Sequence, residues 1–294
     1  MVIVDKYYDL CFISFLLEHM MNLVVNMLVD WIESCIRSKM PMKVEPIARK
    51  SGYSLRHLHN IFKAEVGTTL GKYIRLRRIT QAALLIRFTN KSLLDISLDL
   101  NFGSQQALTR SFVKHFNCTP LEYRKRNFID TSRLYPPFSN KFNAIVFEEA
   151  SLNSIYICAT NFNYQDAILG ERIIDNNNIK KEKILHVLQN KEKAYVVSSW
   201  TCLNNLESTI EVNSFIGFEV AAKEESTLQI LHKSYISSIF KGTWDEYIIF
   251  SQQLYMNSNF VRVEGYDIEV FYLDNDNCSL EGELNFTIIT YMPV

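Results

Sequence analysis

Between Val44 and Gly67 the chain reads VEPIARKSGYSLRHLHNIFKAEVG, and its apolar positions recur at helical spacing. Pro46 suits the first turn of a helix, where a missing N–H costs nothing. Ile47 and the small Ala48 form an inward face. Gly52 can adopt the positive φ that a tight turn needs. Ser54 is placed to cap a second helix, whose buried stripe is Leu58 and Phe62. Its polar face carries Arg56, His59, Asn60 and Lys63. The plan then repeats. Ile96 and Ser97 stand for Ile47 and Ala48. Asn101, tolerant of the left-handed region, stands for Gly52. Ser104, Leu108 and Phe112 answer Ser54, Leu58 and Phe62 at an offset of 50. The second polar face is Gln105, Gln106, Thr109, Arg110 and Lys114. Helix, short turn and capped helix, twice over, predicts two helix-turn-helix units.

Between them, LGKYIRLRRITQAALLIRF (Leu70 to Phe88) predicts one long helix with Tyr73, Leu76, Ile79, Ala83 and Ile86 as its apolar positions. Upstream, Val24, Leu28, Trp31, Ile32 and Cys35 predict an amphipathic helix. The apolar run Leu10–Ile32 is interrupted by Glu18, His19, Asn22, Asn26 and Asp30, which argues against a membrane span. It also lacks the basic start of a signal peptide. Residues 1–21 read as an N-terminal extension, or translation begins at Met20 or Met21. After Arg133 the helical period ends at LYPPFSN, so 134–143 is read as a linker. Beyond it come strand-like runs: NAIVFEEA, NSIYICAT, AYVVSSW, FIGFEVA, YDIEVFYL and LNFTIITYMPV. Helical stretches fall near 180–189 and 244–256. That order predicts two related α+β units sharing an antiparallel sheet over 144–294.

The net charge of −1 over 294 residues hides a division. Residues 22–133 hold 19 Lys and Arg against 8 Asp and Glu, while residues 140–294 hold 11 against 21. A basic half joined to an acidic half fits a chain of which one domain meets a polyanion. The residue types on the second polar face suit duplex DNA. Glutamine can pair with an adenine edge, arginine can fork onto guanine, and lysine or threonine can hold phosphates. A long helix between the units could set both recognition helices about 34 Å apart, one DNA turn, in successive major grooves. The six cysteines lie far apart with no paired Cys/His spacing, so we expect no metal, no cofactor and reduced thiols. No GxSxG, HExxH, P-loop or GxGxxG is present, so an enzyme is not expected.

These residues resemble the DNA-binding domain of the AraC/XylS family of transcription regulators. Ile96, Phe102, Ser104, Phe112, Phe116, Pro120, Tyr123 and Arg124 fall on that family's spacing. SQQALTR and KYIRLRRIT resemble the subgroup of MarA, SoxS and Rob. The resemblance spans Leu23 to Asn127. It implies a cytoplasmic, nucleoid-associated activator of stress or multidrug-resistance promoters, acting as a monomer on double-stranded DNA through RNA polymerase. It matches Gln105, Gln106, Thr109 and Arg110 to the subgroup's second recognition helix. In the first unit, relatives have Trp, Gln and Arg where this chain has Arg56, His59 and Asn60, which implies a different first half-site.

The last stretch, GTWDEYIIFSQQLYM followed by YDIEVFYL and TIITYMPV, resembles the GyrI-like domain that Rob carries behind its DNA-binding domain. That resemblance implies a groove for hydrophobic or cationic small molecules. Tyr156, Trp200, Phe218, Trp244, Tyr247, Tyr272 and Tyr291 are candidates for its aromatic lining. Where many such domains place a Glu to balance a cation, this chain has Ile289. The expected effector is therefore apolar or amphipathic, and neutral or anionic. The alternative is an interaction or stability module with no small-molecule ligand.

Overall fold

The computed structural model describes residues 21–126, 128–138, 145–167, 174–202, 209–231, 233–254, 260–263, 265–274 and 284–294. Residues 1–20 of the expected extension and 139–143 of the expected linker lie outside them. Helix α1 covers 21–37. It is followed by α2 (Glu45–Ser51), α3 (Leu55–Val66), α4 (Leu70–Phe88), α5 (Leu93–Asp99), α6 (Gln105–Phe116) and α7 (Pro120–Arg124). The turns form as their residues dictate. Gly52 closes α2 at φ 73°, and Asn101 takes the same left-handed region at φ 56°. Ser54 accepts from His57 N at 3.3 Å and Ser104 from Ala107 N at 3.1 Å, so both second helices start on side-chain caps.

The long helix α4 departs from the simple stripe its sequence suggested. Leu76 is half-buried, while Arg77 is 1% exposed. Helix α4 is surrounded, not laid on a surface, and its buried charge is answered locally. Arg77 Nε and Nη2 donate to the two Glu33 oxygens of α1 at 2.7 and 2.8 Å. Its Nη1 donates to the Tyr135 carbonyl. Burial works against the Arg77 charge, but Glu33 more than compensates and holds its pKa above the ordinary value. Residues 134–138, read from sequence as linker, pack on this core. Leu134 is buried with it. Tyr135 N donates to Thr80 Oγ1 at 2.8 Å, and Phe138 N donates to Tyr73 Oη at 3.1 Å. Helix α7 has already ended at Arg124, well before Pro136 and Pro137, and these prolines do not free the chain, because aromatic neighbours still gain by burial.

The second half contains β2 (Glu148–Leu152), β3 (Ile155–Ala167), α8 (Ile174–Leu188), β4 (Ala194–Cys202), β5 (Thr209–Val220), β6 (Leu228–Ile230), β7 (Lys233–Thr243), α9 (Trp244–Leu254), β8 (Val261–Arg262), β9 (Asp267–Leu273) and β10 (Asn285–Pro293). Before it lies the short strand β1 (Ile129–Asp130), which pairs with β8. The main sheet has the order β2-β7-β10-β9-β4-β5-β3-β6 and every pairing is antiparallel. Its centre is a repeat. In β3-α8-β4-β5 the last strand lies between the first two, and β7-α9-β9-β10 does the same. Each unit is a split β-α-β with a helical crossover. The units join where β4 meets β9, with Ala194 opposite Phe271.

Alternation along the strands gives the sheet two apolar faces. Ala194, Val196, Ile216, Phe271, Phe286 and Ile288 lie under α8 and α9. Tyr195, Val197, Tyr235, Ile268 and Val270 line the opposite face.

Candidate nucleic-acid interface and the two faces of the C-terminal sheet

On α3, Leu58, Ile61 and Phe62 are buried, so Arg56, His59, Asn60 and Lys63 are left exposed. On α6, Leu108, Phe112 and Phe116 are buried. Gln105, Gln106, Arg110 and Lys114 are exposed there, and Thr109 and Ser104 are half-buried. Phe112 stacks near Phe116 and Tyr123, at 4.5 and 5.3 Å between ring centroids, which fixes the rotation of α6 about its axis. None of the described ion pairs uses Arg56, Lys63, Arg110 or Lys114. Their charge stays directed to solvent. Ser54 and Ser104 spend one lone pair each on a cap, and their hydroxyl protons remain available to a phosphate.

Three polar residues hold these helices, of which the sequence singles out Asn101 and Arg124 but not Asp99. Arg124 Nε donates to Ile86 O at 3.0 Å and its Nη2 to Lys91 O at 2.7 Å, which satisfies one carbonyl in the last turn of α4 and one in the connection to α5. Asn101 Nδ2 donates to Lys39 O at 3.1 Å, joining the second turn to the end of α1. Asp99 receives Lys91 at 2.7 Å and Lys39 at 3.1 Å. Burial alone would raise the Asp99 carboxyl, but these two lysines hold it below its ordinary value. Asp99 is the last residue of α5, and nothing in its sequence neighbours announces Lys39 and Lys91 as its partners.

The eight residues expected to line one groove are divided between two faces. Tyr272, Tyr291 and Ile289 lie on the face with Tyr195 and Val270, since Ile289 pairs with Val270 and Tyr272 with Thr287. Trp244 and Tyr247 are buried under the other face, with Phe271. By strand alternation Tyr156, Trp200 and Phe218 also point to that helix-covered side. The Phe218 ring lies under Lys191 Nζ at 4.3 Å. Trp200 meets Phe88 of α4 edge-on at 4.8 Å. A list of aromatics cannot separate the faces without strand register, which is why the sequence ran them together.

One carboxylate was missed. Glu269 of β9 is buried on the helix-covered face, where Lys180 Nζ contacts it at 2.6 Å and Tyr247 Oη donates to it. The same ammonium lies 5.7 Å from the ring centres of Tyr247 and Phe271. The carboxylate and two rings of a cation receptor are present, and the chain's own lysine fills it. On the open face, Glu219 contacts Lys193 at 2.5 Å and receives Tyr195 Oη at 2.9 Å. Hydrogen bonding by Lys193 keeps the Glu219 carboxyl below its ordinary value. Burial pushes the Tyr195 phenol up to about 12.

Paired, capped helices with outward cationic and amide faces define a helix-turn-helix DNA-binding protein. The comparisons agree and go further. A sequence profile described as a helix-turn-helix domain matches residues 47–126. YkgA of Escherichia coli K12, described as an HTH-type transcriptional regulator, is 32% identical over 201 residues, covering 66% of this chain and 81% of that one. The multiple antibiotic resistance protein MarA of the same organism is 37% identical over 122 residues, covering 42% of this chain and 94% of MarA. The F1 operon positive regulatory protein of Yersinia pestis is 28% identical over 260 residues, covering 87% and 85%. The chain belongs to the AraC/XylS family of DNA-binding transcription regulators, with its helical half in the MarA-like subgroup. Among the described residues no helix is long and apolar enough to cross a membrane.

Proposed function

We propose that the protein is a transcription activator that binds promoter DNA as a monomer, with α3 and α6 in successive major grooves, and works through RNA polymerase. One observation carries this reading: two helices built alike at an offset of 50 both present unneutralised polar faces from the basic half. Arg110, Gln105 and Gln106 read base edges. Thr109, Lys114 and Ser104 hold phosphates. On α3, Arg56, His59 and Asn60 face the other half-site, with Lys63 and Ser54 on its backbone. Asn60 offers an adenine-type pairing. Two of the relatives are named for activation or resistance, a positive regulatory protein and an antibiotic resistance protein, which supports an activator. In binding assays Arg110→Ala should cost about 1–3 kcal/mol on specific DNA and relax one base position, while Lys114→Ala should weaken all sequences alike and lower the salt slope by about one. Arg110→Ala binding specific and random DNA as the wild type does would refute the assignment of α6.

The C-terminal domain is read as a GyrI-like effector module, supported by its doubled split β-α-β plan. Its ligand face is the open one, around Tyr272, Tyr291 and Ile289. The Ile289 side chain supplies no counter-charge there, and the buried carboxylate on the other face is already answered by Lys180. Both favour an apolar or amphipathic ligand that is neutral or anionic. A thermal shift with oleate and cholate tests this. A larger shift from a quaternary ammonium dye than from either would refute it. No shift from any of the three supports the interaction or stability module.

A further inference from the structure

A short segment between the two domains is bonded to both. Strand β1 pairs with β8 in the register Ile129 to Arg262 and Asp130 to Val261. Thr131, which is buried, donates Oγ1 to Phe260 O at 2.8 Å. Two residues later the chain turns back to the second recognition helix. Arg133 Nη1 donates to His115 O at 2.9 Å, and His115 Nε2 approaches Arg133 O at 2.7 Å. A carbonyl can only accept, so the imidazole donates from Nε2. His115 lies in the last turn of α6. There the guanidinium satisfies a carbonyl that the helix cannot and places a cation at the negative end of its dipole. Asp130 Oδ2 stands 4.0 Å from Arg133 Nε, a loose ion pair on the same turn. Among the described residues, no hydrogen bond, ion pair or ring contact of α3 leaves the helical domain.

We propose that Arg133 is a positioning residue for the second recognition helix, and that through it the C-terminal domain controls the half-site read by α6 and not the one read by α3. The proposal rests on α6 contacting DNA. It is tested on the full chain by selecting bound duplexes from a random-sequence pool and sequencing them. Arg110→Ala marks the positions read by α6, and Asn60→Ala marks those read by α3. Arg133→Ala cuts the guanidinium bond to His115 O and leaves the His115 Nε2 bond to the backbone carbonyl of residue 133. Thr131→Val, of the same shape, cuts the bond to Phe260. Each should lower preference at the Arg110-marked positions by about threefold to tenfold, the worth of one hydrogen bond, and leave the Asn60-marked positions within about twofold. Arg133→Lys should recover part of the preference, since an ammonium can still reach His115 O. Equal losses at both half-sites, or none at either, would overturn the proposal. A silent Thr131→Val beside an active Arg133→Ala would overturn the part given to the C-terminal domain. If Arg110→Ala marks no position, the reading of α6 fails and takes the proposal with it, a result distinct from the others.

Discussion

Arg77→Met takes away a guanidinium that is 1% exposed, leaves the Tyr135 carbonyl without that donor, and leaves the Glu33 carboxylate with no cation and only the distant Tyr73 hydroxyl at 3.5 Å. The thioether fills most of the volume, so the cost is electrostatic more than steric. Removing one partner of a buried ion pair typically costs about 3–5 kcal/mol, because the other charge stays buried and unanswered. Against a domain stability of about 5–15 kcal/mol that is a large share. Each kcal/mol is worth roughly 4–8 °C in a domain of this size, so the helical transition should fall by about 12 °C or more. Thermal unfolding of the full chain, followed by circular dichroism, reads this. The double variant Glu33→Met with Arg77→Met removes both charges and should lie much nearer the wild type, about 1–3 kcal/mol below it. If Arg77→Met costs under about 1 kcal/mol, or the double variant is worse than the sum of the singles, the pair is not the clamp the geometry describes.

Other predictions follow from single contacts. The Asp99 carboxyl is held below its unfolded value by Lys91 and Lys39, so its stabilisation is complete above the unfolded pKa of about 3.9 and lost as pH falls through the folded one. Asp99→Asn should flatten the acid limb of urea midpoints measured between about pH 2 and pH 6. Ser104→Ala should cost about 1 kcal/mol through the lost α6 cap, seen in denaturant unfolding, where Ser104→Asp should not. Lys180→Met leaves Glu269 buried with Tyr247 alone, and should destabilise the C-terminal transition by about 3–5 kcal/mol while making it responsive to added tetramethylammonium.

The helical half was legible because its signals are local. A Ser three residues before the N–H it caps, a Gly or Asn at a left-handed turn and a Leu–Phe pair four apart can be read from a dozen residues. The sheet was legible as a count of runs but not as faces. Whether Trp200 and Tyr272 share a lining depends on the register of β4 and β9, a long-range property. Charges were the least legible. Arg77 looks like any surface arginine in KYIRLRRIT, and what marks it is Glu33 on another helix. Residues 134–138 show how little a turn signal says about packing: the last helix ends at Arg124, before the two prolines, and Leu134, Tyr135 and Phe138 carry enough apolar surface to hold the chain on the helical core.

The two turns offer a final test, because they solve one backbone problem in different ways. Both need a left-handed residue, and Gly52 supplies it without a side chain, while Asn101 supplies it and also bonds to the end of α1. Asn101→Gly keeps the turn at no steric cost and removes only the side-chain amide's bonds to Lys39 O and, more weakly, Met40 O. Asn101→Ala removes the bond and adds the left-handed penalty, about 1–2 kcal/mol. Alanine should therefore be the more damaging by roughly that amount in unfolding experiments, although it is the smaller loss of side chain. The reverse exchange, Gly52→Asn, meets no atom within 4 Å of its new Cβ, so its cost is backbone strain at φ 73° alone and should stay below that of Gly52→Ala, since asparagine tolerates the left-handed region better. If Asn101→Gly were as harmful as Asn101→Ala, backbone strain would not be what chose this residue, and the amide bond to Lys39 would have to account for the whole effect. Glycine binding DNA with a weakened α6 half-site and near-normal stability would instead show that the bond serves orientation: the second unit would be held from α1 at its turn and from Arg133 at its far end.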